Sequence, residues 1–412
     1  MTYIELFDGT HTANVCAMIA TPPERVVLVG DKYKTLKKHA DRYAEVLRAR
    51  GSNTEVLCQA VNRNNISAII DTLSSLVEKY GECHFDLTGG DDLLLCAAGI
   101  VFERYRQKGV RVNMHRYNIR SGRVLDCDLD GVTVMDRALP EISVEENIRI
   151  WGGASFGRQY SISSFSDADK DDISRLWELC RDDVKAWNKN SNLLSFLEGR
   201  YAKGRERSAT GDCDSILCVT YEVGKPSLMP SRESLDLLAV QGLIRYTVEK
   251  SVLCIDYKSA LVKKCIMNAG LVLELAVLVS SSMAKDKHGK RVYNDVRSGI
   301  RIDWDGEIDE KHGTYDTENE VDVMLMHGAS PLFVSCKNGD FDIEELYKLN
   351  SVSERFGREY SKKFIVATSL DHMNNKAKYL RARAADMNIR IIDRAHTMDM
   401  SALSDFFADI WM

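Results

Sequence analysis

Asn319-Glu320-Val321-Asp322-Val323-Met324-Leu325-Met326, a reversal at His327-Gly328-Ala329-Ser330-Pro331, and then Leu332-Phe333-Val334-Ser335-Cys336-Lys337-Asn338-Gly339 form the stretch on which the reading of this chain turns. β-Branched and apolar residues dominate both arms, and Gly and Pro mark the turn, so the stretch reads as a β-hairpin. Side chains alternate faces along a strand. Glu320 and Asp322 should therefore share a face at the start of the first arm, and Ser335 and Lys337 a face at the end of the second. In an antiparallel pair those two ends adjoin, so two carboxylates and a lysine are expected at one end of the hairpin. Paired carboxylates can hold a hard divalent cation, with phosphate and water completing its shell. A neighbouring lysine can orient or deprotonate a water and offset charge developing on phosphorus. The plainer reading of the same residues is a solvated ion-pair cluster at a sheet end.

Upstream, residues 261–282 are apolar nearly throughout yet carry one acid, Glu274, in Gly270-Leu271-Val272-Leu273-Glu274-Leu275. A surface acid on a helix would have polar neighbours, whereas those of Glu274 are apolar on all sides. This helix, the leading Asp and the trailing x-x-Lys resemble the PD-(D/E)XK restriction-endonuclease-like core. The resemblance implies a metal-dependent endonuclease with the catalytic set Asp322, Lys337, Glu320, Glu274 and Ser335. Asp322, Glu274 and Glu320 would hold Mn2+ or Mg2+, and Lys337 would position or activate water. The pattern departs at Ser335, because the family carries an acid two residues before the lysine. Glu320 or Glu274 could supply the missing carboxylate, which leaves the metal count open.

Towards the amino end, residues 25–115 alternate strand and helix. Strands are expected at 25–30, 54–58, 83–87 and 110–115, and helices at 34–50, 66–80 and 91–106. That alternation implies a doubly wound, mostly parallel sheet, which binds ligands beyond the carboxyl ends of its strands. Two loops lie there, Gly30-Asp31-Lys32-Tyr33-Lys34-Thr35 and Thr88-Gly89-Gly90-Asp91-Asp92. Glycines let backbone amides approach a phosphate at a helix amino end, and a tight turn with a helix cap accounts for them equally well. Neither loop carries a dinucleotide or P-loop fingerprint. The Leu-Thr-Gly-Gly loop between a strand and an apolar helix resembles the CARF sensor (CRISPR-associated Rossmann fold), over roughly residues 1–150. That resemblance implies contacts with the phosphates and riboses of a cyclic oligoadenylate through Thr88, Gly89, Gly90, Gly30, Asp31 and Lys32. The early loop at 8–14, with Thr10 and His11, would line the same pocket. Asp91 and Asp92 depart from the family by placing acids there; they suit a helix amino end and are expected to cap it or to point away from the ligand.

Between these segments, residues 124–135 read as a hairpin, 143–200 as a polar helical connector, and 211–256 as strands and a helix of winged-helix-like outline. Two basic runs are candidate phosphate contacts or solvated faces: Lys185, Lys189, Arg200, Lys203, Arg205 and Arg207 in the connector, and Lys376, Lys378, Arg381, Arg383, Arg390 and Arg394 after the hairpin.

Bulk properties limit the alternatives. A chain that is 44% hydrophobic and 28% charged has an ordinary globular profile. No apolar run approaches a membrane span and no signal peptide is evident, so a cytoplasmic location is expected. Eleven cysteines without a C-x-x-C pair favour free thiols over disulfides or zinc. A net charge of −6 argues against indiscriminate nucleic-acid binding by the whole surface.

Taken together, the two resemblances are similar to the ancillary nucleases of type III CRISPR defence. They imply a sensor at 1–150, a connector with a winged-helix-like segment at 151–258 and a nuclease domain at 259–412. They also imply a homodimer, activation by cyclic tetra-adenylate or hexa-adenylate, and cleavage of single-stranded DNA or RNA with possible nicking of duplex DNA. The rivals are a ligand-responsive transcription regulator without nuclease activity, a phosphodiesterase that degrades its own activator, and a nucleotide-dependent small-molecule enzyme, for which no cofactor fingerprint is present.

Overall fold

The computed structural model describes the chain except residues 10, 120–122, 129–130, 137–139, 158, 205–216, 307–317, 371–374 and 412. Thr10, Arg205 and Arg207 thus lie outside the described residues. The N-terminal unit contains β1 (Thr2–Leu6), α1 (His11–Ala20), β2 (Arg25–Gly30), α2 (Tyr33–Ala49), β3 (Glu55–Ala60), α3 (Ile66–Tyr80), β4 (Cys83–Asp86), α4 (Asp92–Gln107), β5 (Val112–Asn118), β6 (Arg123–Asp128) and β7 (Gly131–Asp136). Its sheet runs in the order β3-β2-β1-β4-β5-β6-β7. The first five are parallel and β6–β7 is an antiparallel hairpin at the edge. Continuous apolar runs such as Val26-Val27-Leu28-Val29 suit strands covered on both faces. Here α1 and α2 cover one face, while α3 and α4 cover the other. The chain leaves β1 for β2 and β3, then returns on the other side as β4. The crevice beyond β1 and β4 is therefore a topological switch point, where doubly wound sheets bind ligands. The central strand β1 and helix α1 were not expected from the sequence.

Next come α5 (Val144–Ile150), β8 (Ala154–Phe156), β9 (Tyr160–Ser161), α6 (Asp167–Asp182), α7 (Val184–Gly204), β10 (Cys218–Glu222), α8 (Arg232–Val240), β11 (Ile244–Glu249), β12 (Val252–Tyr257) and α9 (Ala260–Met267). Strands β10, β12 and β11 make a small antiparallel sheet beside α8, matching the winged-helix-like outline. The last unit has α10 (Leu271–Met283), β13 (Asp295–Asp303), β14 (Glu318–His327), β15 (Ser330–Lys337), α11 (Ile343–Phe356), β16 (Lys362–Ala367), α12 (Asn375–Asp386), β17 (Ile389–Ile392) and α13 (Met400–Asp409). Its sheet order is β17-β16-β15-β14-β13-β8, with β9 also on β13. Strands β8 and β9, assigned above to the connector, thus form the edge of the C-terminal sheet.

One face of this second sheet packs on α6, α9, α10 and α13. The other packs on α5, α11 and α12 and runs without a break into α1 and α2 of the first unit. Trp151 lies at this joint, 1% exposed, with its indole N–H donating to Thr12 Oγ1 at 3.1 Å. Asn147 Nδ2 donates to the Phe356 carbonyl at 2.8 Å, and Arg42 donates to the Gly152 carbonyl at 3.1 Å. His11 belongs here too, contrary to its expected place beside a ligand. Its ring is buried 4.4 Å from His39 and 4.8 Å from Trp151, and Nδ1 is 2.9 Å from the Tyr43 hydroxyl. Burial, with His39, Arg355, Arg358 and Arg42 around it, lowers its pKa to about 2. His11 is therefore an uncharged joint residue. The loop reading failed because α1 begins at His11 and turns it inward.

Strands β13 and β14 break their alternation midway. Val296, Val323 and Leu325 join the core beneath α10, whereas Ile300, Ile302 and Val321 join the opposite one. Residues two apart should share a face, so both strands reverse faces, at Gly299 and at Asp322. Gly299 has φ +66°, a conformation that favours glycine.

Because the joint is one continuous core, Trp151→Ala should destabilise both units together. A loss of about 3–5 kcal/mol is expected, read as a common downward shift of the urea midpoint for probes in each unit. Separate transitions, with only one displaced, would contradict a shared core.

Candidate functional site

The register that sets Val323 opposite Val334 would set Asp322 opposite Ser335 and Glu320 opposite Lys337, but the β14–β15 ladder ends at Val323 and Val334. Beyond it the strands fork, while β15 stays paired to β16 as far as Lys337 and Ala367. The Asp322 carboxylate fills the fork. Its Oδ2 accepts the Cys336 amide N–H at 2.6 Å and the Ser335 hydroxyl at 3.1 Å, and lies 3.8 Å from Lys337 Nζ. Lys337 reaches 2.7 Å from Glu345 Oε2 on the first turn of α11, and Lys348 holds the other oxygen of Glu345 at 2.9 Å. Burial would lower the Lys337 pKa, but Asp322 and Glu345 outweigh it and the net shift is upward. Lys337 is an ammonium at neutral pH.

Glu274 enters from the first turn of α10. Burial, the Asp322 charge and the Glu320 charge push its pKa up to about 8, against a smaller opposing effect of Lys337. Carboxylates crowded in this way repel one another unless a cation or a proton stands between them. Asp322, Glu274 and Lys337 line one open cleft of about 400 Å³ together with Asn188, Asn192 and Asn338. Glu320 sits exposed at the rim, across from Arg301, because the reversal at Asp322 breaks the shared face expected of the two acids. Ser335 binds Asp322 through its hydroxyl. Among the described residues no three His, Cys, Asp or Glu side chains form a group able to hold a metal ion by themselves. Mg2+-type sites commonly need only one or two carboxylates plus substrate phosphate and water. Asp322 and Glu274, which line the same cleft, are two such carboxylates.

Sequence reasoning missed three contributors. Glu345 was read only as part of an amphipathic helix. Asn188 and Asn192 come from the connector helix α7, where Asn188 Nδ2 donates to the Asn338 carbonyl at 2.7 Å and Asn188 Oδ1 accepts from Asn338 Nδ2 at 2.9 Å. The i, i+4 spacing of two asparagines on a polar helix was the only available signal. By contrast, three of the six cations in the basic run after the hairpin are paired: Lys376 with Asp342 at 2.7 Å, Arg383 with Asp386 at 3.3 Å, and Arg381 with Asp393.

At the crevice beyond β1 and β4, Asp86 ends β4 fully buried. Its Oδ1 accepts the Thr88 amide at 2.8 Å and the Thr88 hydroxyl, and Oδ2 lies 3.5 Å from His115 Nε2. The Thr88 hydroxyl also accepts the Tyr117 amide at 2.8 Å. Its side chain therefore braces the loop. A Cβ on Gly89 would stand 2.5 Å from Asn14 Oδ1 and 2.8 Å from the Leu6 carbonyl, and Gly90 has φ +97°. Both positions require glycine. Asp91 caps α4, accepting the Leu94 amide at 3.0 Å, and pairs with Arg63 at 3.3 Å. Gly30 is buried at the end of β2, whereas Asp31 and Lys32 are exposed.

No family model matches the chain, and no curated protein matches it significantly. Solved structures share its fold end to end. Protein VC1899 from Vibrio cholerae aligns with a TM-score of 0.73 at 17% identity, over 98% of this chain and 96% of that one. Can2 from Sulfobacillus thermosulfidooxidans, solved in complex with cyclic tetra-adenylate, aligns with a TM-score of 0.64 at 17% identity, over 98% and 97%. The mixed α/β architecture of a doubly wound sheet joined to a second sheet is thus shared along the whole chain.

Proposed function

We propose that this protein is a cyclic-oligoadenylate-activated, metal-dependent endonuclease of type III CRISPR defence, acting as a homodimer on single-stranded DNA or RNA. The observation that carries the proposal is the convergence of Glu274, Asp322 and Lys337 on one open cleft. The end-to-end fold shared with a protein solved with cyclic tetra-adenylate supports the sensor half. Cyclic tetra-adenylate is the favoured activator on that ground. A two-fold cyclic ligand is well matched by an isologous dimer interface.

Asp322 and Glu274 fit a hard divalent cation, Mn2+ or Mg2+, with Glu320 at the rim. Such an ion, when bound, would polarise phosphoryl oxygens and lower the pKa of water. The remaining functions belong to the chain. Lys337, an ammonium steadied between Asp322 and Glu345, offsets negative charge on the scissile phosphate. Ser335 and the Cys336 amide fix the orientation of Asp322. Asn188 and Asn192 offer neutral donors along the cleft wall, suited to a sugar–phosphate backbone. Activation requires the activator to bind the cutting-competent state more tightly than the resting one, and the continuous core at Trp151 connects the two units.

Incubation with Mn2+, labelled single-stranded and duplex substrates, and cyclic tetra- or hexa-adenylate in turn tests the proposal. Cleavage of a single strand that depends on both metal and activator is expected. Asp322→Ala and Lys337→Ala should each lower it by about 10²–10³-fold, and full metal-dependent cleavage by both variants would contradict the assignment. Glu345→Gln should leave Lys337 charged but loosely held. We expect kcat to fall by about tenfold with KM for nucleic acid unchanged, as for a displaced catalytic group; an unchanged kcat would show that Lys337 needs no such support.

A further inference from the structure

The small sheet of the connector carries a second cleft, distant in sequence from the candidate catalytic residues. The tip of the β11–β12 hairpin meets the turn after β10, where the Val223 amide donates to the Ser251 carbonyl at 2.7 Å. Between them and the start of α8 lies a cleft of about 260 Å³, lined by Lys225, Arg232 and Lys250 together with Pro226, Met229 and Val248. All three cations are exposed, and none forms a salt bridge among the described residues. Glu222, Glu233 and Glu249 stand nearby in sequence without pairing to them. On α12, by contrast, Lys376, Arg381 and Arg383 are each paired with a carboxylate.

Lys250 adds an independent observation. It occupies the hairpin tip with φ +55°, in the left-handed region, where Gly or Asn would be less strained. This turn holds a lysine in place of those residues and aims a third charge at the cleft. The wing is also tied to the candidate active site through one helix. Asn188 of α7 bonds Asn338 beside the catalytic cleft. Two residues on, about 3 Å of helical rise, Asn190 accepts the Ser231 amide at 3.0 Å and donates to Ser234 at 2.7 Å.

We infer that the cleft formed by Lys225, Arg232 and Lys250 binds the phosphate backbone of a single-stranded nucleic acid, as an anchoring site separate from the catalytic cleft. The inference rests on the reading that this chain acts on nucleic acid, but not on its cutting it. Three exposed cations, with no Asn, Gln or aromatic side chain lining the cleft, favour charge over sequence, so binding there is salt-dependent and sequence-tolerant.

The test is fluorescence anisotropy of a labelled 20-nucleotide single strand with the full chain in EDTA, between 50 and 200 mM NaCl. Wild type is compared with the triple variant Lys225→Gln/Arg232→Gln/Lys250→Asn, in which Asn tolerates the left-handed turn. A control triple variant, Lys376→Gln/Lys378→Gln/Arg383→Gln, removes the same charge from α12. Loss of three contacts should reduce the slope of log K against log [salt] by about 2 and raise Kd at 50 mM by about tenfold or more, while the control stays near wild type. An unchanged slope in the wing variant, or equal losses in both variants, would overturn the site. A parallel cleavage assay with Mn2+ and activator separates the two claims. A wild type that cuts, with no wing effect, removes only the anchoring site. A wing effect without cutting keeps the anchoring site and removes the nuclease reading.

Discussion

The constraint on which the site depends is the parting of β14 from β15 at Asp322. Hydrogen-bonded strands leave no room between them, and a buried amide that loses its partner needs another. Here the Cys336 N–H is satisfied by the Asp322 carboxylate at 2.6 Å. One aspartate thereby opens the sheet and caps the opening it makes. It can do so because both strands reverse faces at this level, with Gly299 allowing the turn in β13. Asp322 can then act towards Glu274, on the helix beneath one face, and towards Lys337 and Glu345, on the other. Without the reversal these groups would be divided by the sheet.

The second feature is the joint. Two units joined only by a linker would be coupled only through their tether. Here α1 and α2 share a core with α5, α11 and the C-terminal sheet. Gly153 shows how close the approach is, since a Cβ there would meet the Asp303 carbonyl and the Phe356 ring at 2.7 Å. Packed interiors transmit small displacements because they do not compress. Helix α11 carries both Phe356 at the joint and Glu345 against Lys337, so it connects the joint and the candidate cleft through a single rigid element.

Much of this was legible in the sequence. The elements from β2 to β6 followed from apolar runs alternating with amphipathic helices. The hairpin followed from its β-branched arms, and Glu274 stood out as one acid in an apolar helix. What was missed has physical causes. Thr2-Tyr3-Ile4-Glu5-Leu6 is short and holds an acid, so it did not read as a central buried strand; Glu5 is nonetheless fully buried, its pKa raised by burial and by Asp86. Strand β8 has three residues and is recruited to its sheet from far along the chain, which local patterns do not encode. His11 looked like a loop residue because Gly9 precedes it, yet a helix begins there. The roles of Glu345, Asn188 and Asn192 depend on tertiary contacts, and the reversal at Asp322 overrides the alternation that had placed Glu320 beside it.

The most direct measurement of the central claim is anomalous diffraction at the manganese edge from crystals of this chain soaked in Mn2+. Convergence of the helix and the forked strands predicts one strong peak within about 2–2.6 Å of oxygens from both Asp322 and Glu274, beside the Lys337 amine. Manganese bound elsewhere, or only to one of the two carboxylates with the other turned away, would contradict it.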